Sequence, residues 1–264
     1  MDRPAVTCRL IPGFYVLPIP FPLKKHLPNA VTCLNLLCGC LALTNIFAGR
    51  LDVGAYFVAA AAAADFADGL LARALRVSSA IGKDLDSLAD MVSFGVVPGA
   101  ILVRLIDMSL GARYGGYASP ALDYWYWPML SYAGFIVTIF SALRLAKFNN
   151  DTRQTTSFIG LPTPACTLVV ASLPLILGHD QFGLNSIILN PWTLIGLTVL
   201  LSGLLVAELP LFALKFKNLN WGDNRRRFLF LLLATALLVV LKAAAVPLIV
   251  LLYVLLSVPK TAAR

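Results

Sequence analysis

Long apolar runs recur along this chain, separated by short polar links. The first six runs are each close to the roughly 20 residues that one bilayer crossing requires. The runs are 31–49, 53–75, 87–106, 128–146, 162–178, 191–207 and a longer final one, 228–257. An α-helix satisfies all its backbone hydrogen bonds within one segment, which lipid demands. The sequence therefore predicts an all-α, polytopic membrane bundle.

The final run is too long for one ordinary span. Lys242 and Pro247 interrupt its middle, which favours two short helices joined by a turn and brings the total to about eight transmembrane helices. We expect three parts: a proline-rich segment on the membrane surface (1–28), a core of six transmembrane helices (29–207), and a basic loop followed by a helical hairpin (208–264).

Composition supports an integral membrane protein. Hydrophobic residues make up 59% of the chain and charged residues 13%, against about 45–50% and about 25% in soluble domains. These values exclude a soluble enzyme, a disordered chain and a nucleic-acid-binding protein. The five cysteines contain no CxxC pair, so we interpret them as packing residues rather than zinc ligands or disulfides: Cys8, Cys33, Cys38, Cys40 and Cys166.

The distribution of cations predicts the orientation of the bundle. Only Arg50, Arg104, Arg113 and Lys242 fall on one side of the predicted spans, and every other Lys and Arg falls on the opposite side. Loops rich in Lys and Arg stay in the cytoplasm. Both termini and the segment 65–90 are therefore predicted to face the cytoplasm.

Four aspartates lie close together at the junction of the second and third spans. Asp65 and Asp68 are three residues apart, and Asp86 and Asp90 are four apart, so each pair shares one helix face. A charged side chain within a bilayer costs roughly 2.5–3.5 kcal/mol on insertion scales, so such a cluster requires a compensating cation or a polar cavity. Four converging carboxylates predict a site for Mg²⁺ or Mn²⁺.

Small residues between these acids leave room for a bulky ligand. Gly69, Ala72 and Gly82 open space beside the carboxylates, and Arg73 offers a guanidinium fork suited to a diphosphate or a base edge. The alternative is a salt-bridged helix pair in which Arg73 and Lys83 neutralise two of the acids. That alternative leaves the remaining acids without partners.

The stretch Asp65-x-x-Asp68-Gly69-x-x-Ala72-Arg73, followed after eight residues by Gly82-x-x-x-Asp86-x-x-x-Asp90, resembles the complete signature of the CDP-alcohol phosphatidyltransferase family. Further stretches resemble its phosphatidylserine synthase branch, with Lys147 where arginine is common. They are LPNAVTCLNLLCG (27–39), DSLADMVSFGVVPGA (86–100), RLAKFN (144–149) and GLPTPA (160–165).

This resemblance implies a homodimeric enzyme of the bacterial inner membrane that transfers the phosphatidyl group of CDP-diacylglycerol to L-serine, releasing CMP. It implies that Asp65, Asp68 and Asp86 bind Mg²⁺ or Mn²⁺. Asp90 would bind a second metal ion and act as the general base, which makes Asp86 and Asp90 the catalytic pair. Contacts to the CDP-lipid would come from Asn29, Thr32, Asp65, Asp68, Gly69, Ala72, Arg73, Ser79 and Gly82.

The serine substrate brings a carboxylate that needs a cationic partner. Arg144, Lys147 and Asn149 lie at the predicted cytoplasmic end of the fourth span, where they could bind this carboxylate. Ser93 would begin the opposite wall. Arg144 could instead be an anchor at the membrane interface.

Three other functions compete with this one. Within the family, the acceptor could be glycerol phosphate or inositol phosphate, whose phosphate favours extra basic residues. A cation channel or transporter would spread its acids through the membrane depth, and an aspartate-rich prenyltransferase would need a second acidic cluster. The acids here crowd at one end, without a second copy, which favours the transferase.

Overall fold

Helices dominate the computed structural model, which describes residues 26–77, 79–114, 126–150, 158–211 and 221–257. Almost all of the predicted surface segment 1–28 lies outside the described residues. The α-helices are α1 (Leu27–Phe47), α2 (Leu51–Leu75), α3 (Ala80–Asp90), α4 (Val97–Tyr114), α5 (Tyr126–Ser131), α6 (Ile136–Asn150), α7 (Thr163–Gly178), α8 (Asn185–Ile188), α9 (Pro191–Val206), α10 (Trp221–Leu241) and α11 (Ala245–Ser257).

The predicted polytopic bundle is confirmed. Within the described ranges, five helical segments are long and apolar enough to cross a membrane: Leu27–Phe47, Leu51–Leu75, Ile81–Arg113, Met129–Asn150 and Arg227–Ser257. The predicted fifth and sixth spans correspond to the shorter helices α7 and α9, of 16 residues each. At 1.5 Å per residue these two reach about 24 Å, less than the roughly 30 Å of a hydrocarbon core.

The final apolar run is divided between helices α10 and α11. Helix α10 ends at Leu241, and a short 3₁₀ turn begins at Lys242, whose φ is 49°. The rings of Phe230 and Tyr253 lie 5.7 Å apart, whereas a continuous helix would separate them by about 34 Å. The chain therefore reverses at Lys242 into a helical hairpin.

A tight reversal joins α2 to α3. Arg76 adopts a left-handed conformation (φ 53°) and ends α2, and its backbone N–H bonds to the Arg73 carbonyl. Ser79 then begins α3 as its N-cap, because its hydroxyl accepts the backbone N–H of Gly82 at 3.0 Å. The chain therefore leaves α2 at Arg76 and enters α3 at Ser79, only three residues later.

Helix α3 continues into α4 through a π-helical segment, Met91–Val96, that the sequence did not predict. The wider turn disrupts the usual i to i−4 bonding, and hydroxyls from other helices bond to its carbonyls. Thr138 Oγ1 donates to the Gly95 carbonyl and Thr167 Oγ1 donates to the Phe94 carbonyl, each at 2.9 Å. The segment following Asp90 is thus tied to α6 and α7.

The core centres on α4, whose Ile101, Leu102 and Leu105 are completely buried. Its main cluster also includes apolar residues of α1, α2, α7 and α9. Outside the core, α1 exposes Leu34, Leu37 and Leu41, an apolar surface that suits contact with lipid.

Among the described residues, one short antiparallel pair of strands accompanies the helices. Strand β1 (Phe158–Ile159) pairs with β2 (Pro210–Leu211). The next residue, Gly160, has φ 77°, and a Cβ there would lie 2.7 Å from the Leu205 carbonyl oxygen. This glycine lets the chain pass close to the end of α9 before α7 begins.

Candidate active site

Three of the predicted aspartates converge where α2 ends and α3 begins. Asp65, Asp68 and Asp86 each offer one carboxylate oxygen, and these oxygens all lie within 4.8 Å of one another. Asp68 is buried and also accepts a hydrogen bond of 2.7 Å from Thr32 Oγ1. The i, i+3 spacing on α2 and the reversal before α3 together produce this convergence.

Asp90 lies one turn beyond Asp86, at the point where α3 becomes π-helical. Its Oδ1 accepts a hydrogen bond of 3.2 Å from Asn35 Nδ2 on α1. Asp90 also interacts electrostatically with Asp65 and Asp86. Asp90 therefore adjoins the three converging carboxylates but has a partner of its own.

The alternative of a salt-bridged helix pair disagrees with this geometry. Among the described residues, no Lys, Arg or His nitrogen lies within 4.0 Å of a carboxylate oxygen of the four aspartates. Arg73 instead donates its Nε–H to the Gly69 carbonyl at 2.8 Å. Within the part of the chain that the structure describes, the four carboxylates thus form no direct ion pair with a protein cation.

The donor set fits a hard divalent cation. Carboxylate oxygens are the ligands that Mg²⁺ and Mn²⁺ prefer, and opposite ligands of Mg²⁺ lie about 4.2 Å apart. Adjacent ligands of such an ion lie about 3.0 Å apart, and the three oxygens already lie within 4.8 Å of one another, so side-chain rotations would bring them within reach of one ion. Asp65, Asp68 and Asp86 could therefore hold such an ion.

A cleft of about 260 Å³ opens beside these carboxylates. Seven of its lining residues are predicted ligands of the CDP-lipid and an eighth, Asp86, is a predicted metal ligand, whereas Pro28, Val77 and Lys83 were not predicted as ligands. The lining residues are Pro28, Asn29, Thr32, Asp68, Gly69, Ala72, Val77, Ser79, Gly82, Lys83 and Asp86. Lys83 directly follows the signature residue Gly82, and this position could have identified it as a lining residue of the cleft.

Two glycines shape this cleft. A Cβ on Gly82 would lie 2.9 Å from both Asn29 Oδ1 and Ser79 Oγ, so only glycine allows these polar groups to approach α3. A Cβ on Gly69 would meet nothing nearer than Arg73 at 3.9 Å. The cleft is therefore open at Gly69 and tightly packed at Gly82.

Arg144 is the predicted serine ligand that is a buried cation. It is buried, its Nη1 donates to Thr163 Oγ1 at 3.3 Å, and its guanidinium lies 5.7 Å from the centre of the Phe148 ring. It also interacts electrostatically with Asp90. Its Nε is buried without a hydrogen-bond partner, so this cation retains unused donor capacity.

The other three predicted serine ligands are either exposed or hydrogen-bonded to another helix. Lys147 is exposed. Asn149 Nδ2 donates to Ser87 Oγ at 2.9 Å, which ties α6 to α3. Ser93 is buried, and its hydroxyl donates to the Asn35 carbonyl at 3.0 Å. Its hydroxyl is therefore already engaged with α1.

Comparison with known proteins identifies the family. The family model described as CDP-alcohol phosphatidyltransferase matches residues 25–204. The chain belongs to this family. It is 30% identical over 171 residues to the CDP-diacylglycerol–serine O-phosphatidyltransferase of Bacillus subtilis (strain 168), covering 63% of this chain and 88% of that protein.

Two further relatives match over a smaller share of their length. The CDP-diacylglycerol–serine O-phosphatidyltransferase of Helicobacter pylori (strain J99) is 32% identical, covering 54% of this chain and 54% of that protein. The archaetidylserine synthase of Methanothermobacter thermautotrophicus is also 32% identical, covering 55% of this chain and 56% of that protein. The chain thus spans about half of these two relatives, and the matched family region ends before the C-terminal hairpin.

Proposed function

We propose that this protein is a phosphatidylserine synthase, which transfers the phosphatidyl group of CDP-diacylglycerol to the hydroxyl of L-serine and releases CMP. The observation that carries the proposal is the convergence of the signature carboxylates beside a cleft lined by the signature glycines. The names of the relatives support serine as the acceptor.

Asp65, Asp68 and Asp86 would hold Mg²⁺ or Mn²⁺, and Asp90 would contribute to a second ion. Such an ion, when bound, stabilises charge on the phosphoryl oxygens. The cleft residues would bind the cytidine diphosphate part of the lipid, with Asn29, Thr32, Gly69, Ala72, Ser79 and Gly82 inside it and Arg73 at its rim.

Asp90 would act as the general base. The serine hydroxyl is a weak nucleophile, so its proton goes to the Asp90 carboxylate as its oxygen attacks the lipid-side phosphorus. A new phosphorus–oxygen bond forms to serine, the bond to CMP breaks, and CMP leaves with that electron pair. Asn35 supports this role because it holds one oxygen of Asp90 at 3.2 Å.

Arg144 would bind the carboxylate of serine. Its burial, its unpartnered Nε and its electrostatic interaction with Asp90 support this role. A buried guanidinium gains most from a charge-assisted hydrogen bond to an anion. Binding at Arg144 would hold the serine hydroxyl on the side of the general base.

We further propose that the protein works as a homodimer in a bacterial inner membrane, with the active site facing the cytoplasm. The dimer follows from the family resemblance. The orientation follows from the distribution of Lys and Arg. Cytidine nucleotides and serine are soluble and cytoplasmic, so this orientation suits the chemistry.

The decisive experiment measures CMP release from CDP-diacylglycerol by the purified protein. L-serine, glycerol phosphate and inositol phosphate are offered separately, and each assay is repeated with excess chelator and then with added Mg²⁺ or Mn²⁺. We expect release with serine alone, loss of activity in chelator, and recovery with metal. Release with a phosphorylated acceptor alone would refute the serine assignment, and full turnover in chelator would refute the metal site.

A further inference from the structure

We infer that Asn35 is a positioning residue that fixes the orientation of the Asp90 carboxylate for proton abstraction. The inference rests on the proposed function, because it assigns Asn35 a role in that reaction. Asn35 lies outside the signature, on α1, and its side chain is completely buried. Its Nδ2 donates to Asp90 Oδ1 at 3.2 Å.

One face of α1 supports two of the carboxylates. Thr32 and Asn35 are three residues apart, so they share a helix face. Thr32 donates to Asp68 at 2.7 Å and Asn35 donates to Asp90 at 3.2 Å. Helix α1 thus contacts both carboxylate-bearing helices, α2 and α3.

A second contact fixes the backbone of Asn35 relative to Asp90. Ser93, three residues after Asp90, donates its hydroxyl proton to the Asn35 carbonyl at 3.0 Å. One turn after Asn35, Gly39 lets this crossing form, because a Cβ there would lie 3.1 Å from the Ser93 Cα. Asn35 is therefore held at both its backbone and its side chain.

Packing alone does not explain an asparagine at this position. Its Oδ1 is buried without a hydrogen-bond partner, and an unsatisfied buried polar atom costs about 1–3 kcal/mol. A leucine of similar size would fill the same space without that cost. The benefit of the amide is the oriented donor that it gives to Asp90.

The test replaces Asn35 with leucine and uses Asn45→Leu as the matched control. Asn45 is also a buried asparagine of α1, and its Nδ2 donates to the Leu41 carbonyl at 2.7 Å, away from the aspartates. The full-length protein is assayed with serine or, should serine fail, with whichever acceptor supports CMP release. Melting temperature in detergent and CMP affinity are measured alongside kcat and KM.

We expect Asn35→Leu to lower kcat about ten- to a hundredfold, with KM for CDP-diacylglycerol and CMP affinity within about twofold of wild type. The control should keep kcat within about twofold while melting temperature changes similarly in both variants. Equal kcat in the two variants, or loss of CMP affinity in Asn35→Leu, would overturn the inference. Use of an acceptor other than serine would refute the proposed function and leave this comparison valid.

A second pair of variants covers the case in which Asn35→Leu does not fold. Asn35→Ala and Asn45→Ala each remove one buried amide of α1 and leave nearly the same space. If Asn35 acts by donating to Asp90, Asn35→Ala loses a much larger share of kcat than Asn45→Ala. Equal kcat in this pair would contradict the positioning role.

Discussion

Asp65 and Asp90 are both carboxylates of one cluster, but they have different partners. Asp65 belongs to the group of three whose oxygens converge within 4.8 Å. Asp90 instead accepts a hydrogen bond from Asn35 on a different helix. This difference suits a division of labour, in which Asp65 binds metal and nucleotide and Asp90 accepts the proton.

Replacing each of these aspartates by asparagine should separate the two roles. Asp90→Asn keeps the side-chain shape but cannot accept the proton, so we expect kcat to fall roughly 10²- to 10⁴-fold while CDP-diacylglycerol still binds. Asp65→Asn should weaken Mg²⁺-dependent binding of CMP. Calorimetric titration with CMP, together with turnover assays, distinguishes the variants, and equal loss of binding in both would disprove the division.

Arg144 and Lys147 offer a second comparison at the level of single side chains. Both lie on α6, but Arg144 is buried and Lys147 is exposed. Arg144→Met removes the charge-assisted bond, worth roughly 1.5–3 kcal/mol, so KM for serine should rise about ten- to a hundredfold.

Lys147→Met is the matched control and should leave KM for serine near its wild-type value. KM for CDP-diacylglycerol should stay unchanged in both variants. Steady-state kinetics with serine varied at saturating lipid provide the measurement. If Arg144→Met raises the lipid KM instead, Arg144 contacts the phosphate or anchors the helix, and the serine site lies elsewhere.

At the level of helices, the segment after Asp90 has a feature that the local sequence pattern did not predict. Residues 87–106 predict an ordinary span, yet Met91–Val96 forms a π-helix. Its carbonyls bond to Thr138 and Thr167, which belong to α6 and α7. Because those partners are distant in sequence, local periodicity gives no sign of the wider turn.

The start of α3 carries a prediction about close packing. Gly82→Ala would place a Cβ 2.9 Å from Asn29 Oδ1 and Ser79 Oγ, so the N-cap or the cleft wall must shift. Since small misplacements of binding groups are costly, we expect KM for CDP-diacylglycerol to rise about tenfold.

Gly196→Ala is the control for that change, because a Cβ at Gly196 in α9 meets no atom within 4 Å. It should leave KM unchanged and stabilise the helix by about 0.5–1 kcal/mol. Kinetics and thermal unfolding of both variants test this. An unchanged lipid KM in Gly82→Ala would show that the cleft wall adapts without affecting the ligand.

For the molecule as a whole, the sequence predicted those features that depend on local spacing. The i, i+3 and i, i+4 aspartate pairs and the reversal at Lys242 are short-range patterns. Asn35 and Thr163 were missed because they reach the site from α1 and α7. Only the packed bundle reveals which polar residues of an apolar helix face the carboxylates.

The arrangement of the whole bundle also allows a prediction of its orientation in the membrane. The chain reverses between α1 and α2 beside Arg50 and at the C-terminal hairpin beside Lys242. The acidic site lies at the opposite ends of these helices, where α2 gives way to α3. The predicted spans put most Lys and Arg on the same side as the site, so the positive-inside rule predicts that the site and the C-terminus face the cytoplasm.

Reporter fusions measure this orientation directly. Green fluorescent protein fluoresces when it folds in the cytoplasm, and alkaline phosphatase is active only after export. We expect fluorescence and no phosphatase activity for fusions after Arg264, and the reverse for fusions after Asp180, which follows α7 in an exposed turn. Phosphatase activity at the C-terminus would show that the bundle has the opposite orientation. The site would then face away from the cytoplasmic serine and cytidine nucleotides that the proposed reaction uses.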